Sequence, residues 1–310
     1  MLGRELIDIR DFCKARRHFA LPRASARQYC VRMWRSILAA ALFLAAPAGA
    51  APAPPPAAPD GPAAPPAAER IALSADLHLR PIGDRALVIV HACPWPANSL
   101  LVVMPDGTLV LAGTPYTADA TRTVLDWARR RFGERRIVAI NPGYHVDNLG
   151  GNQALLDAGA AVYGSDLTIR LLRERGERMR AVTLALIGDP ESPAYRLHAG
   201  LKFVPPDHPF PIRDGLRLTF GGEEVQVFYP GPSQAPDKVV VYFPGLRILF
   251  GSCMILAGPR PGNTADADLA QWPESVRRLR RFPADIVVPG HGDRLDPGLI
   301  QHTLDVLAAR

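Results

Sequence analysis

Apolar residues in this chain fall into short blocks separated by Gly- or Pro-bearing turns, and the spacing within the blocks changes along the sequence. Leu87-Val88-Ile89-Val90 and Ser99 to Met104 read as strands, and Pro105-Asp106-Gly107 turns the chain back into a hairpin partner, Thr108 to Leu111. Ala118 to Arg131 switches to helical spacing, with Val124, Leu125 and Ala128 on one face. Ile137-Val138-Ala139-Ile140 is a buried-type strand that ends at a polar cluster, Asn141 to Asn152. A helix around Gln153 to Ala158, a strand around Ala161-Val162-Tyr163 and a basic helix from Asp166 to Arg178 follow. The second half repeats the logic. Leu216 to Phe220, Val225 to Tyr229, Val239 to Phe243 and Arg247 to Phe250 are strands, Ala265 to Arg281 is a helix, Ile286-Val287-Val288 is a strand, and Leu299 to Ala309 is a closing helix. Two halves, each strands then helices, predict an α/β (α+β) sandwich of two mixed sheets with helices outside.

The first residues do not fit this pattern. Ser36 to Ala50 is an apolar run ending in Ala48-Gly49-Ala50 and preceded by Met33-Trp34-Arg35. A positive start, a short apolar core and a small-residue cleavage site make a secretory signal. The run is too short for a bilayer, which takes about 20 residues. Residues 1–50 are therefore expected to be a removable leader, with Met33 a candidate true start, and no stable membrane anchor is expected. Residues 51–68, APAPPPAAPDGPAAPPAA, have the composition of a semi-rigid extended linker. Residues 69–310 fit one domain, expected to reach the periplasm.

Setting the leader aside changes the charge picture. Residues 1–32 carry eight Lys/Arg against three Asp/Glu and Arg35 offsets Asp60, so only +1 of the overall +6 belongs to residues 69–310. The domain has no electrostatic case for nucleic acid, which needs a basic stripe on the folded unit. Of four cysteines, only Cys93 and Cys253 fall in the domain, so no disulfide framework supports it. In an oxidising compartment a thiol outside a disulfide needs another use, and metal ligation is one.

Three segments carry candidate chemistry: Gly143-Tyr144-His145-Val146-Asp147, Phe250-Gly251-Ser252-Cys253-Met254 and Pro289-Gly290-His291-Gly292-Asp293. Each sets a metal-competent side chain in a loop directly after a predicted strand, where loops converge on sites. Carboxylate, thiolate and imidazole are all zinc donors, and three protein ligands leave a fourth position for water.

With Trp95-Pro96-Ala97-Asn98-Ser99, Leu111-Ala112-Gly113-Thr114-Pro115, Phe228-Tyr229-Pro230-Gly231-Pro232, Gly262-Asn263-Thr264 and Val288-Pro289-Gly290-His291-Gly292, these segments resemble the metallo-β-lactamases, specifically the subclasses with a Cys ligand. The resemblance covers residues 69–310 and implies a four-layer αβ/βα sandwich with the site along one edge. It implies a zinc-dependent hydrolase with zinc held by Asp147, Cys253 and His291, a small-molecule β-lactam substrate and a monomer; another ester, thioester or amide hydrolase on the same scaffold, or a zinc-binding homologue with little catalysis, stays open. It also exposes departures. Where two-zinc members of the family place three histidines, this chain has Gly143, His145 and Ser233, which predicts a single zinc and at most a weak first site. Leu256 stands where a substrate-anchoring lysine is common, and Arg260 has the spacing of an alternative anchor. Asn263 matches the residue that assists the developing oxyanion. A zinc bound by Asp147 carboxylate, Cys253 thiolate and neutral His291 is formally neutral and acidifies water less than a three-histidine zinc, so His145 is expected to act as general base. His208, His198, His302 and His91 are read as scaffold, and Cys93 as a small buried hydrophobe.

Overall fold

The computed structural model describes residues 70–310. The leader, the linker and Glu69 lie outside the described residues; among the described residues no helix is long and apolar enough to cross a membrane.

Among the described residues, thirteen strands make two sheets. The first runs in sequence order: β1 (Ile71–Ala72), β2 (Leu77–Pro81), β3 (Ala86–His91), β4 (Ala97–Val103), β5 (Leu109–Ala112), β6 (Ile137–Ile140), β7 (Ala161–Ser165) and β8 (His208–Phe210). It is antiparallel as far as β5 and parallel from β5 to β8. The second sheet has β9 (Leu216–Phe220), β10 (Glu223–Phe228), β11 (Val240–Phe243), β12 (Ile248–Ser252) and β13 (Ile286–Pro289), with β12 and β13 parallel.

Strand period places the layers. Val88 and Val90 of β3 pack inward with Val225, Val227, Val241 and Phe250 of the second sheet, and form the core between the sheets. Their neighbours Leu87 and Ile89 face out onto Val124, Leu125 and Ala128 of α1 (Ala118–Phe132) and Leu155 of α3 (Asn152–Asp157). On the far side, Val240, Tyr242, Leu249 and Val287 pack against Trp272 and Val276 of α6 (Trp272–Arg277) and Leu299, Ile300 and Leu304 of α7 (Leu299–Ala308). The predicted sandwich of two mixed sheets with outer helices is thus the observed one. Side chains alternate across each strand, so both faces must be covered, and helices cover them.

The sequence pattern names no element at β1, β2, β8 or the short helix over Val146–Leu149, and three further helices differ from it. The helix predicted to end at Arg178 is α4 (Asp166–Ile187), which runs on because Met179 and Thr183 extend the buried row of Leu172 and Gly176. A short α5 (Pro193–Ala199), capped by Ser192, was not predicted. The helix predicted from Ala265 starts only at Trp272 and tightens to a 3-10 turn over Arg278–Arg281. Its expected first turns are a loop: Asp266 is engaged by Tyr144 and His145, and Asp268 accepts from the Gln271 nitrogen, which caps the helix that begins beyond it.

Candidate metal centre

Asp147 lies in the first turn of the short α2 (Val146–Leu149) beyond β6, not in a loop as expected, and Cys253 and His291 directly follow β12 and β13. Where parallel strands end together, the loops beyond their carboxyl ends meet in a crevice. Asp147 Oδ2 lies 2.9 Å from Cys253 Sγ and 3.2 Å from His291 Nε2, and Sγ lies 3.8 Å from Nε2. Among the described residues this is the one group of three such side chains with donor atoms within 4.8 Å of one another. Ligand bonds of about 2.0–2.3 Å in a tetrahedron need donors roughly 3.3–3.7 Å apart, so the trio fits a zinc ion with shifts of a few tenths of an ångström.

Each donor is aimed by a neighbour. His291 Nδ1 donates to the Pro96 carbonyl at 2.7 Å, which turns Nε2 towards Asp147 and Cys253. The Asn98 amide holds that loop from beneath, donating to the carbonyls of Pro289 and Gly292 at 3.0 and 2.9 Å. Asn148 donates to Asp147 Oδ1 at 2.5 Å and accepts from Ser252 Oγ at 2.6 Å. Ser252 has φ +48, a left-handed conformation unusual for a residue with a side chain, immediately before the thiol. Gly290 has no side chain because a Cβ there would stand 2.5 Å from the Cys253 nitrogen. Trp272, fully buried, donates to the Met254 carbonyl at 2.9 Å and backs the Cys253 loop.

Electrostatics follow from this packing. Burial works to raise the Asp147 pKa, but the hydrogen bond from His291 and the charges of Lys238, His291 and His145 hold it well below the usual carboxylate range. Burial likewise opposes the charged form of His291, and the hydrogen bonds to Asp147 and Cys253 override it and raise its pKa.

The trio sits at one side of a cavity of about 650 Å³. Trp95, His145, Arg260 and Asn263 line it, and Met179, Val182 and Leu186 of α4 with Ile255 and Leu256 form an apolar wall. His145 Nε2 lies 3.2 Å from Asp266 Oδ2, which also accepts from the Tyr144 hydroxyl at 2.5 Å. The Asp266 pKa falls to about 2, chiefly through the His145 bond. An ionised carboxylate only accepts, so Nε2 carries the proton and a neutral His145 presents Nδ1 as its acceptor. Asn263 Oδ1 accepts from the Ala265 nitrogen at 3.0 Å.

Of the residues singled out from sequence, the structure brings His145, Asp147, Cys253, His291, Arg260, Asn263 and Leu256 to one cavity. Ser233 is not among its lining residues and is fully buried, whereas its neighbour Gln234 lines the cavity. In the pattern Gly231-Pro232-Ser233-Gln234, the residue three after the glycine faces the site, so the assignment moves by one. Cys93 is half-buried rather than buried, and no disulfide joins it to Cys253. His208 is exposed against Asp207, and His302 bonds the Gly258 carbonyl. Sequence reasoning missed Asn98, Asn148, Ser252 and Asp266 as supports. Only their adjacency to the motifs hinted at them.

Fold and site together define an αβ/βα sandwich with a metal-competent centre at the edge between its sheets. The chain belongs to the metallo-beta-lactamase superfamily, whose sequence model matches residues 94–291. The metallo-beta-lactamase type 2 of Bacillus cereus is 29% identical over 216 residues, 68% of this chain and 73% of that protein. That of Bacteroides fragilis is 27% identical over 251 residues, 78% of this chain and 89% of that protein. The solved structure of a metallo-beta-lactamase from Pontibacter korlensis matches with a TM-score of 0.63 at 29% identity, covering 76% of this chain and 100% of that chain.

Proposed function

We propose that this chain is a zinc-dependent β-lactamase with one zinc, held by Asp147, Cys253 and His291. The carrying observation is the convergence of these three donors at the wall of a cavity of about 650 Å³. Asp147, Cys253 and His291 would hold the ion, which would supply Lewis acidity for the ring opening. The protein does the rest. His145 takes the proton of the attacking water at Nδ1, while Asp266 orients the ring through Nε2. The Asn263 side-chain amide steadies charge on the carbonyl oxygen, and Arg260 pairs with the substrate carboxylate. Gly143 and Gln234 supply no imidazole to a first site, which leaves His145 without partners for a second zinc. The enzyme acts as an exported monomer that protects a periplasm from β-lactam antibiotics.

A second reading, hydrolysis of another ester or thioester on the same scaffold, is favoured by the apolar wall of α4 and by Leu256 in place of a cation. Purified protein loaded with one equivalent of zinc is assayed on penicillins, cephalosporins, carbapenems and thioesters. Turnover of at least one lactam class, lost in Cys253→Ser, is expected. Thioester turnover with no lactam turnover would replace the first reading with the second.

A further inference from the structure

Beside the donor trio lies a charge that this chemistry does not use. Lys238, just before β11, is fully buried, and its Nζ has no hydrogen-bond partner. Asp237 Oδ1 has none either, while Asp237 Oδ2 accepts from the Tyr144 nitrogen and from Thr168 Oγ1, both at 2.8 Å. The two unpartnered atoms face the space left by the missing side chain of Gly143. A Cβ on Gly143 would stand 3.0 Å from Lys238 Cδ, 3.1 Å from Nζ and 3.3 Å from Asp237 Oδ1. Gly143 is not among the positive-φ glycines, so its backbone accepts a side chain and the lysine takes the room instead. The lysine charge also reaches Asp147, where it favours the carboxylate.

A buried ammonium without an acceptor is costly, and its carbon chain, packed on every side, cannot swing it to water. Like charges in such surroundings repel strongly. We propose that the Lys238 ammonium is a built-in cation that takes the ground of a second metal ion next to His145 and Gln234, and so keeps that position free of metal. The proposal rests on the reading that Asp147, Cys253 and His291 hold one zinc. Lys238 is a positioning residue: it touches no substrate, and it decides how many metal ions the pocket accepts.

The test compares three proteins: the native chain, Gly143→His with Gln234→His, and that pair with Lys238→Asn. Cobalt titration followed by absorption and zinc analysis after dialysis read the number of bound ions, and circular dichroism checks folding. The native chain and the double variant are expected to hold one ion. The triple variant should hold two, the second at least 100-fold tighter than in the double variant. A double variant that binds the second ion as tightly as the triple, or a folded triple variant that still holds one, overturns the proposal. Should Gly143→His misfold, Gln234→His with and without Lys238→Asn decides: two imidazoles should take up a weak second cobalt only in the variant that lacks Lys238, and identical titrations would overturn the role of Lys238. Two tight zincs in the native chain would refute the one-zinc reading and this proposal together, and would be seen before any variant is made.

Discussion

Asn148→Ala tests whether the centre is built from its supports inward. Asn148 is buried to 1% exposure, donates to Asp147 Oδ1 and accepts from Ser252 Oγ. Alanine removes a hydrogen bond to a charged group, about 1.5–3 kcal/mol, and leaves the buried Ser252 hydroxyl without its acceptor, about 1–3 kcal/mol more. Partial relaxation brings the expected loss in the metal-free protein to about 2–4 kcal/mol. For a domain of this size that lowers Tm by roughly 5–15 °C. Loss of an outer partner of a ligating carboxylate typically weakens metal binding about 10–100-fold, which is about 1.4–2.7 kcal/mol. Thermal unfolding with and without zinc separates the two costs, because zinc binding adds its own stabilisation by mass action. Competition against a chelator gives the affinity directly. A folded variant whose zinc affinity stays within about threefold of the native value would refute the idea that Asn148 orients Asp147. Asn148→Asp should be worse than alanine, since it sets a second carboxylate against the first.

Two further outcomes follow from the same geometry. Cys253→Ser should weaken zinc binding by more than roughly 100-fold, because a serine hydroxyl stays protonated at neutral pH, whereas Cys93→Ser should leave it within about threefold; equal losses in dialysis and elemental analysis would break the ligand assignment. Asp266, with its pKa lowered from 3.8 to about 2 in the folded state, contributes stability that is present above pH 4 and is lost as pH falls through 2; Asp266→Asn should cost about 1–3 kcal/mol at pH 7 and flatten that acid limb, and unchanged acid unfolding curves would count against the His145–Asp266 pair.

Most of the strands and the metal trio are legible in the chain itself. Ile137–Ile140 is an unbroken apolar run because it packs between layers, Leu216–Phe220 alternates because it is an edge strand, and turn residues flank both. Asp147, Cys253 and His291 could be named because each follows a strand and because their segments resemble those of the metallo-β-lactamases. What the chain could not show is anything that depends on two segments meeting. Helical period near Ala265 predicts a helix, but Asp266 is taken by His145 and Tyr144, and Asp268 accepts from the Gln271 nitrogen and so caps a helix that starts later. The row that prolongs α4 to Ile187 becomes apolar enough only once Met179 packs beside Tyr116 and Tyr144. The choice of Gln234 over Ser233 as the cavity residue depends on which way one turn faces. Lys238 reads in sequence as an ordinary solvated charge, and only the fold lays its carbon chain against Gly143. A local pattern reports the period and burial of its own element, whereas the electrostatics of a site arise from residues that are neighbours in space alone.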